Sequence, residues 1–223
     1  MNLLAIETSS DVGTVALQFG EELTQRRIAT PRDQTQQVLP LVGELLAGAE
    51  LVLTDMDGIA FGRGPGSFTG LRIAAAVAQG LGLAANLGLL PVSSLAAIAQ
   101  GVWRAHGQKR SLVCIDARMG EVFWGAFEIC GDLAELIGEE HLSAPQAVAW
   151  PDAGDWGAVG SGFAAYPEEL ADVIKSASSV LAECNPAAVD LLPLAKSRLA
   201  DGGVVSPLAA SPIYLREQSA WSK

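Results

Sequence analysis

Apolar positions alternate with polar ones, then recur at helical spacing, and the order predicts strands followed by helices. Asn2 to Ile6 reads as a buried strand ending at Glu7. Thr8-Ser9-Ser10-Asp11 with Gly13 makes a turn, and Thr14 to Phe19 alternates as the return strand of a hairpin. Gly20-Glu21 turns again, and Leu23 to Ala29 forms a weaker third strand. Asp33 is the expected N-cap of a helix reaching Gly48, with Gln36 completing a capping box. Val38, Leu39, Leu41, Val42, Leu45 and Leu46 give that helix a stripe wider than one core contact needs. Pro40 removes one backbone hydrogen bond and is expected to kink it. Asp57 to Phe61 is the next strand. A long apolar helix spans Gly70 to Asn86, followed by a short strand at Leu89–Val92 and a helix from Ser94.

The pattern then repeats. Leu112-Val113-Cys114-Ile115-Asp116-Ala117 echoes Leu3-Leu4-Ala5-Ile6-Glu7-Thr8. Each run ends in an acid, turns near a glycine and returns along an alternating strand, Val122 to Ile129 in the second case. Each return strand ends at a glycine and an acid, Gly131-Asp132 and Gly20-Glu21. Two such units half a chain apart predict duplicated lobes. The break falls in the polar stretch 104–110, giving lobes 1–107 and 108–223. The plan is α/β, with mixed sheets flanked by helices, and is similar to the actin-like, Hsp70 and sugar-kinase ATPase fold. The second lobe is less regular. A third strand runs to His141 and a short helix spans Ala144 to Trp150. A strand at Gly157–Ser161 turns at Gly160-Ser161-Gly162. Helices follow at Pro167–Lys175 and after Asn185, the latter with Pro186 at its first position and its end before Gly202-Gly203. The segment after Pro207 is expected to be extended.

Gly62-Arg63-Gly64-Pro65-Gly66-Ser67-Phe68-Thr69-Gly70-Leu71-Arg72 joins strand to long helix. Strand, glycine-rich turn and helix is the layout that aims backbone N–H groups at an anion. It is equally the layout of a tight strand-to-helix connection. No Lys-Ser or Lys-Thr follows the last glycine, so this is not a Walker loop. Within the helix, Ala76, Gly80 and Ala84 lie on one stripe and Ala74, Ala78 and Gly82 on another. Small residues at that spacing admit another backbone closely.

Composition narrows the function. The 223 residues carry a formal net charge of −11, which disfavours stand-alone binding to nucleic acid, since phosphate contacts need clustered Lys and Arg. Cys114, Cys130 and Cys184 are far apart and odd in number, the pattern of reduced cytoplasmic thiols. Glu7 interrupts the first apolar run, so no signal peptide is expected. The stretch 73–103 has no charged residue, but its Ala, Gly, Pro91, Ser93 and Ser94 fit helix–strand–helix better than a membrane span. The two histidines, His106 and His141, sit outside any motif and Cys114 lies in a buried strand. No hydrolase triad and no metal-ligand spacing is visible. Glu7 and Asp116 are acids at strand ends, and a carboxylate pair across the lobes stays open.

The undecapeptide 62–72, the opening Ile6-Glu7-Thr8-Ser9-Ser10 and the closing Pro212-Ile213-Tyr214-Leu215-Arg216 resemble the TsaB family, also called YeaZ. Asp116-Ala117-Arg118-Met119-Gly120-Glu121-Val122 resembles a second motif of that family. The chain departs from many relatives at Asp33-Gln34-Thr35-Gln36-Gln37, where they carry a His or a basic residue. The resemblance implies a non-catalytic scaffold that works with the transferase TsaD and the ATPase TsaE. Together they move threonylcarbamoyl from its adenylate, made by TsaC, to the adenosine beside the tRNA anticodon. TsaB resembles TsaD, which holds its metal with two histidines four apart. Ser94 and Ile98 stand at those positions here. The resemblance thus implies a catalytically silent chain with no cofactor of its own. ATP or ADP and a metal are expected in the complex, and tRNA is met only through it, in the cytoplasm. The implied partner surface comprises Gln36, Leu39, Val42, Leu46, Arg72, Ala76, Gln79 and Gly80, and it supports a homodimer when TsaD is absent. Glu7, Thr8, Gly64, Gly66, Ser67, Arg118 and Glu121 are candidate vestigial contacts to a nucleotide or partner. Two other readings stay open: an actin-like kinase or transferase acting alone, and a peptidase.

Overall fold

A computed structural model describes residues 1–28 and 30–216. The chain divides into two compact units, Met1–Ala97 with Pro186–Pro212, and Ile98–Asn185 with the segment from Ile213. The chain therefore passes between units three times, where a break at residue 107 implies one passage.

The first unit is built on β1 (Asn2–Glu7), β2 (Thr14–Phe19), β3 (Glu22–Arg27), β4 (Gly58–Gly64) and β5 (Leu89–Ser93). Their order is β3-β2-β1-β4-β5, with β1–β2–β3 antiparallel and β1–β4–β5 parallel. Ala29, expected to end the third strand, lies outside the described residues. Alternation sends Leu4, Ile6, Val15 and Leu17 to one face. There they pack with Val38, Val42, Leu45 and Leu46 of α1 (Gln34–Gly48) and Ala74, Ala75 and Ala78 of α2 (Phe68–Ala85). Leu3 and Ala5, equally buried, take the opposite parity. Helix α3 (Ser94–His106) opens with the Ser93 hydroxyl accepting the Ala96 N–H at 3.1 Å.

The second unit repeats the plan. Strands β6 (Arg110–Arg118), β7 (Glu121–Cys130), β8 (Leu133–Ser143), β9 (Gly157–Val159) and β10 (Ser179–Leu181) assemble as β8-β7-β6-β9-β10. The antiparallel and parallel pairings match the first sheet strand for strand. This doubled arrangement is the actin-like, Hsp70 and sugar-kinase fold. Helices α4 (Gly162–Ala165) and α5 (Ala171–Ser176) supply Phe163 and Val173 to a core with Leu112, Cys114, Trp156 and Ala158. Helix α6 (Ala188–Ala200) returns to the first unit and packs on β1, β2, β4 and β5.

Several expectations need correction. Asp33 takes helical angles and makes no side-chain cap. Its carboxylate instead accepts the Thr30 hydroxyl at 2.8 Å, so no capping box with Gln36 forms. Ala144 to Trp150 is not a helix: only a 3-10 turn at Pro145–Ala147 forms, because Pro145 and Pro151 bracket a span too short to nucleate one. Pro167 lies in a turn before α5, and Pro186 precedes rather than opens α6. Ser67 caps α2 through the Gly70 N–H at 3.4 Å, so that helix starts two residues before Gly70. By length and composition alone α2 could cross a membrane. Here it lies against a sheet, and the stretch 73–103 divides among α2, β5 and α3.

Candidate functional site

The glycine-rich turn lies directly on the end of β1. An added Cβ at Gly62 would come within 2.1 Å of Glu7 Oε2, at Gly66 within 2.5 Å of the Ser9 carbonyl oxygen, and at Gly70 within 1.7 Å of the Thr8 carbonyl oxygen. Gly64 adds a φ of +103°. The two segments are stitched together as well. The Ser67 N–H donates to the Ser9 carbonyl at 2.7 Å, and the Thr8 hydroxyl donates to the Gly70 carbonyl at 2.7 Å. Gln34 Nε2 donates to the Ser10 carbonyl at 2.8 Å. Gly66 and Gly70 are explained by backbone lying on backbone, and Gly62 by the Glu7 carboxylate packed against it. The Ser67 and Gly70 amides, which an anion cradle would present, are engaged within the chain.

Glu7 lies beneath this turn, fully buried. One carboxylate oxygen accepts the Ser9 N–H at 2.6 Å and the other accepts the Ser94 hydroxyl at 3.0 Å. The Ser9 hydroxyl is buried beside it and, among the described residues, meets no partner at hydrogen-bonding geometry. Burial raises the Glu7 pKa above its ordinary 4.5, and the hydrogen bonds from Ser9, Ser94 and Thr8 offset only part of that rise. A raised folded-state pKa means that the native protein binds this proton more tightly than the unfolded chain. The Glu7 contribution is therefore most favourable below pH 4.5, declines as pH rises through the raised pKa, and stays unfavourable above it. Glu7→Gln keeps both hydrogen bonds, since a hydroxyl also accepts. Its stability relative to wild type is expected to increase from pH 4 to pH 7 in denaturant titrations; a pH-independent difference would refute this assignment.

The implied partner residues separate by burial. Val42 and Leu46 are 3% and 9% exposed and belong to the core under α1, not to the implied partner surface. Gln36, Leu39, Arg72, Ala76 and Gly80 are exposed, Leu39 by 52%. Gln79 is half-buried, and its amide donates to the Ala210 carbonyl at 2.6 Å. The small-residue stripes part in the same way. Ala74, Ala78 and Gly82 face the core, while Ala76, Gly80 and Ala84 face outward. Sequence reading missed Phe68 and Leu83, exposed apolar residues of the same helix. The Arg72 guanidinium stacks 3.8 Å from the Phe68 ring centroid.

In the second unit, Asp116 occupies the place of Glu7 at the end of β6. It accepts from the Tyr166 hydroxyl at 3.0 Å and the Arg118 N–H at 2.8 Å, and pairs with the Arg118 guanidinium at 3.1 Å. Arg118 and Glu121 flank the β6–β7 turn. The turn after β9 repeats the close approach of the first unit, with a Cβ at Gly160 falling 2.5 Å from the Cys114 carbonyl oxygen. Cys114 is buried, and desolvation pushes its thiol up to about 12, the state of an inert core cysteine. His141 stacks on Trp124 with ring centroids 4.4 Å apart. Among the described residues, no three His, Cys, Asp or Glu side chains converge on a metal-sized site. Ser94, at one of the implied histidine positions, is held by Glu7, and Ile98, at the other, is buried.

Residues 28–220 match the family model described as tRNA N6-adenosine threonylcarbamoyltransferase. The chain is 39% identical, over its whole length and 98% of the relative's, to the tRNA threonylcarbamoyladenosine biosynthesis protein TsaB of Escherichia coli. It is 35% identical to the TsaB protein of Haemophilus influenzae, over its whole length and 97% of that protein. Among solved structures, YeaZ from Pseudomonas aeruginosa superposes with a TM-score of 0.91 at 40% identity, covering 96% of this chain and 99% of that one.

Proposed function

The chain belongs to the TsaB family, and from that premise we propose that it is the scaffold subunit of a tRNA-modifying assembly. A role in tRNA threonylcarbamoyladenosine biosynthesis follows from membership matched across the full length. The finer reading is that the chain supports transfer of threonylcarbamoyl to tRNA by a TsaD-type transferase, with a TsaE-type ATPase, and performs no chemistry itself. The observation that carries it is the outward face of α1 and α2, where Leu39, Phe68, Ala76, Gly80 and Leu83 lie exposed on adjacent helices. Such a face suits a pair of partner helices, from TsaD or from a second copy when TsaD is absent. Silence in catalysis is supported by Ser94 and Ile98, neither of which offers an imidazole to a metal. The acidic chain leaves tRNA to its partners and works where tRNA is modified, in the cytoplasm. The metal and nucleotide of the reaction belong to those partners in this reading.

Reconstitution tests it. The chain is mixed with its cognate TsaD, TsaE, TsaC, ATP, threonine, bicarbonate and unmodified tRNA, and digested tRNA is read by nucleoside mass spectrometry. Threonylcarbamoyladenosine is expected only when this chain is present. Equal product without it would overturn the scaffold role.

A further inference from the structure

The β6–β7 turn holds a conformation its residues disfavour. Arg118, Met119 and Gly120 take φ of +62°, +58° and +76°, and the first two carry side chains that resist the left-handed region. The segment from Ile213 supplies what holds it. After the passage through the first unit, the chain returns to the second, and Arg216 reaches the turn. Its side chain is only 11% exposed, and its guanidinium ion-pairs with Glu121. The same Nη2 donates to the carbonyl oxygens of Ala117 at 3.3 Å and Arg118 at 3.4 Å, while Nη1 lies 3.6 Å from Met119 Sδ. One carboxylate and two carbonyl oxygens converge on Nη2 while Nη1 turns to the Met119 sulfur, so both terminal nitrogens of a planar, always-charged cation are engaged, which the single nitrogen of an ammonium does not reproduce.

We propose that Glu121 and the carbonyls of Ala117 and Arg118 form a guanidinium-binding cradle that Arg216 fills from within the chain, as a latch on the β6–β7 turn. With the latch engaged, the turn presents the Arg118 and Met119 side chains outward, 77% and 72% exposed. With it released, the left-handed run relaxes and that presentation is lost. The cradle's ligand class is an arginine side chain. This inference is independent of the scaffold reading, because it concerns contacts within one unit.

Hydrogen–deuterium exchange on the full chain tests it, read at the amides of Arg118 to Val122. Arg216→Ala is expected to speed exchange there by about tenfold or more, the size of one lost charge-assisted hydrogen bond. Exchange in β1 and β4 should hold, and the melting temperature should fall by only about 2–6 °C. Millimolar methylguanidinium should restore protection in that variant, whereas equal methylammonium or sodium chloride should not. Glu121→Gln should loosen the turn alike and resist the rescue. Should Arg216→Ala melt globally, Arg216→Lys carries the test: faster exchange at the turn is expected, and wild-type protection would overturn the demand for a guanidinium. Unchanged exchange in a folded Arg216→Ala variant overturns the latch. Loosening that methylguanidinium does not reverse overturns the cradle.

Discussion

Gly70→Ala is expected to lower stability by about 3 kcal/mol or more, at the upper end of what overpacking costs. The position lies in α2, where alanine is the better helix former by roughly 1 kcal/mol. Propensity therefore predicts a gain. Geometry predicts the reverse, because the new methyl would sit 1.7 Å from the Thr8 carbonyl oxygen. That oxygen belongs to backbone tied into β1 and cannot swing aside as a flexible side chain does. The Thr8 hydroxyl bond to the Gly70 carbonyl would be lost in any accommodating shift. Gly80→Ala is the control, in the same helix with nothing within 4 Å of its added Cβ. It is expected to stabilise by up to about 1 kcal/mol. At roughly 2–4 °C per kcal/mol for a chain of this size, the first variant should melt some 6–12 °C lower and the second slightly higher. Equal melting temperatures for the two would remove the close-approach explanation of the glycine-rich turn.

That contrast shows where sequence runs out. Four glycines around the strand-to-helix junction announce a special turn, but not its reason. An anion cradle and a tight backbone crossing use the same residues, and only the positions of Glu7, Thr8 and Ser9 separate them. The sheets were legible because the apolar run Leu3–Ile6 and the alternating Thr14–Phe19 recur in Leu112–Ile115 and Val122–Ile129, and one pairing scheme serves both. Strand β10 was not legible. Its three partly or fully exposed residues form a strand by pairing with β9, a tertiary choice that local preference does not encode. The spacing of apolar residues makes helix α1 amphipathic, yet a stripe of six does not say which of them turns outward. Pro40 and Leu39 fall on the exposed side, while Val42 and Leu46 meet the sheet. Arg216 lies 95 residues from Glu121, and nothing in the spacing of its motif points to a hairpin so far back in the chain.

Leu39→Asp and Ala76→Glu are expected to abolish association with TsaD while leaving the isolated chain folded. Both positions are exposed in the single chain, so each substitution should move its stability by no more than about 0.5 kcal/mol. In the complex the same carboxylate would be desolvated between helices without a partner. Several kcal/mol is the usual cost of an uncompensated buried charge, and each 1.4 kcal/mol is tenfold, so a loss of about a thousandfold in affinity follows. The homodimer should weaken in parallel, because the same face serves both assemblies in this reading. Val42→Asp marks the opposite case. Its side chain lies in the core with Leu45, Ile59 and Phe61, and the variant is expected to unfold rather than dissociate. Two measurements separate the outcomes: thermal melting of each variant alone, and sizing of its mixture with TsaD by light scattering. Leu39→Asp and Ala76→Glu should melt like wild type and elute uncomplexed, and threonylcarbamoyladenosine formation in the reconstituted reaction should fall with them. If both variants bind TsaD with native affinity, the partner docks elsewhere and the outward face of α1 and α2 is not its seat. A variant that loses TsaD yet sustains full modification would instead keep the surface and refute the need for the scaffold.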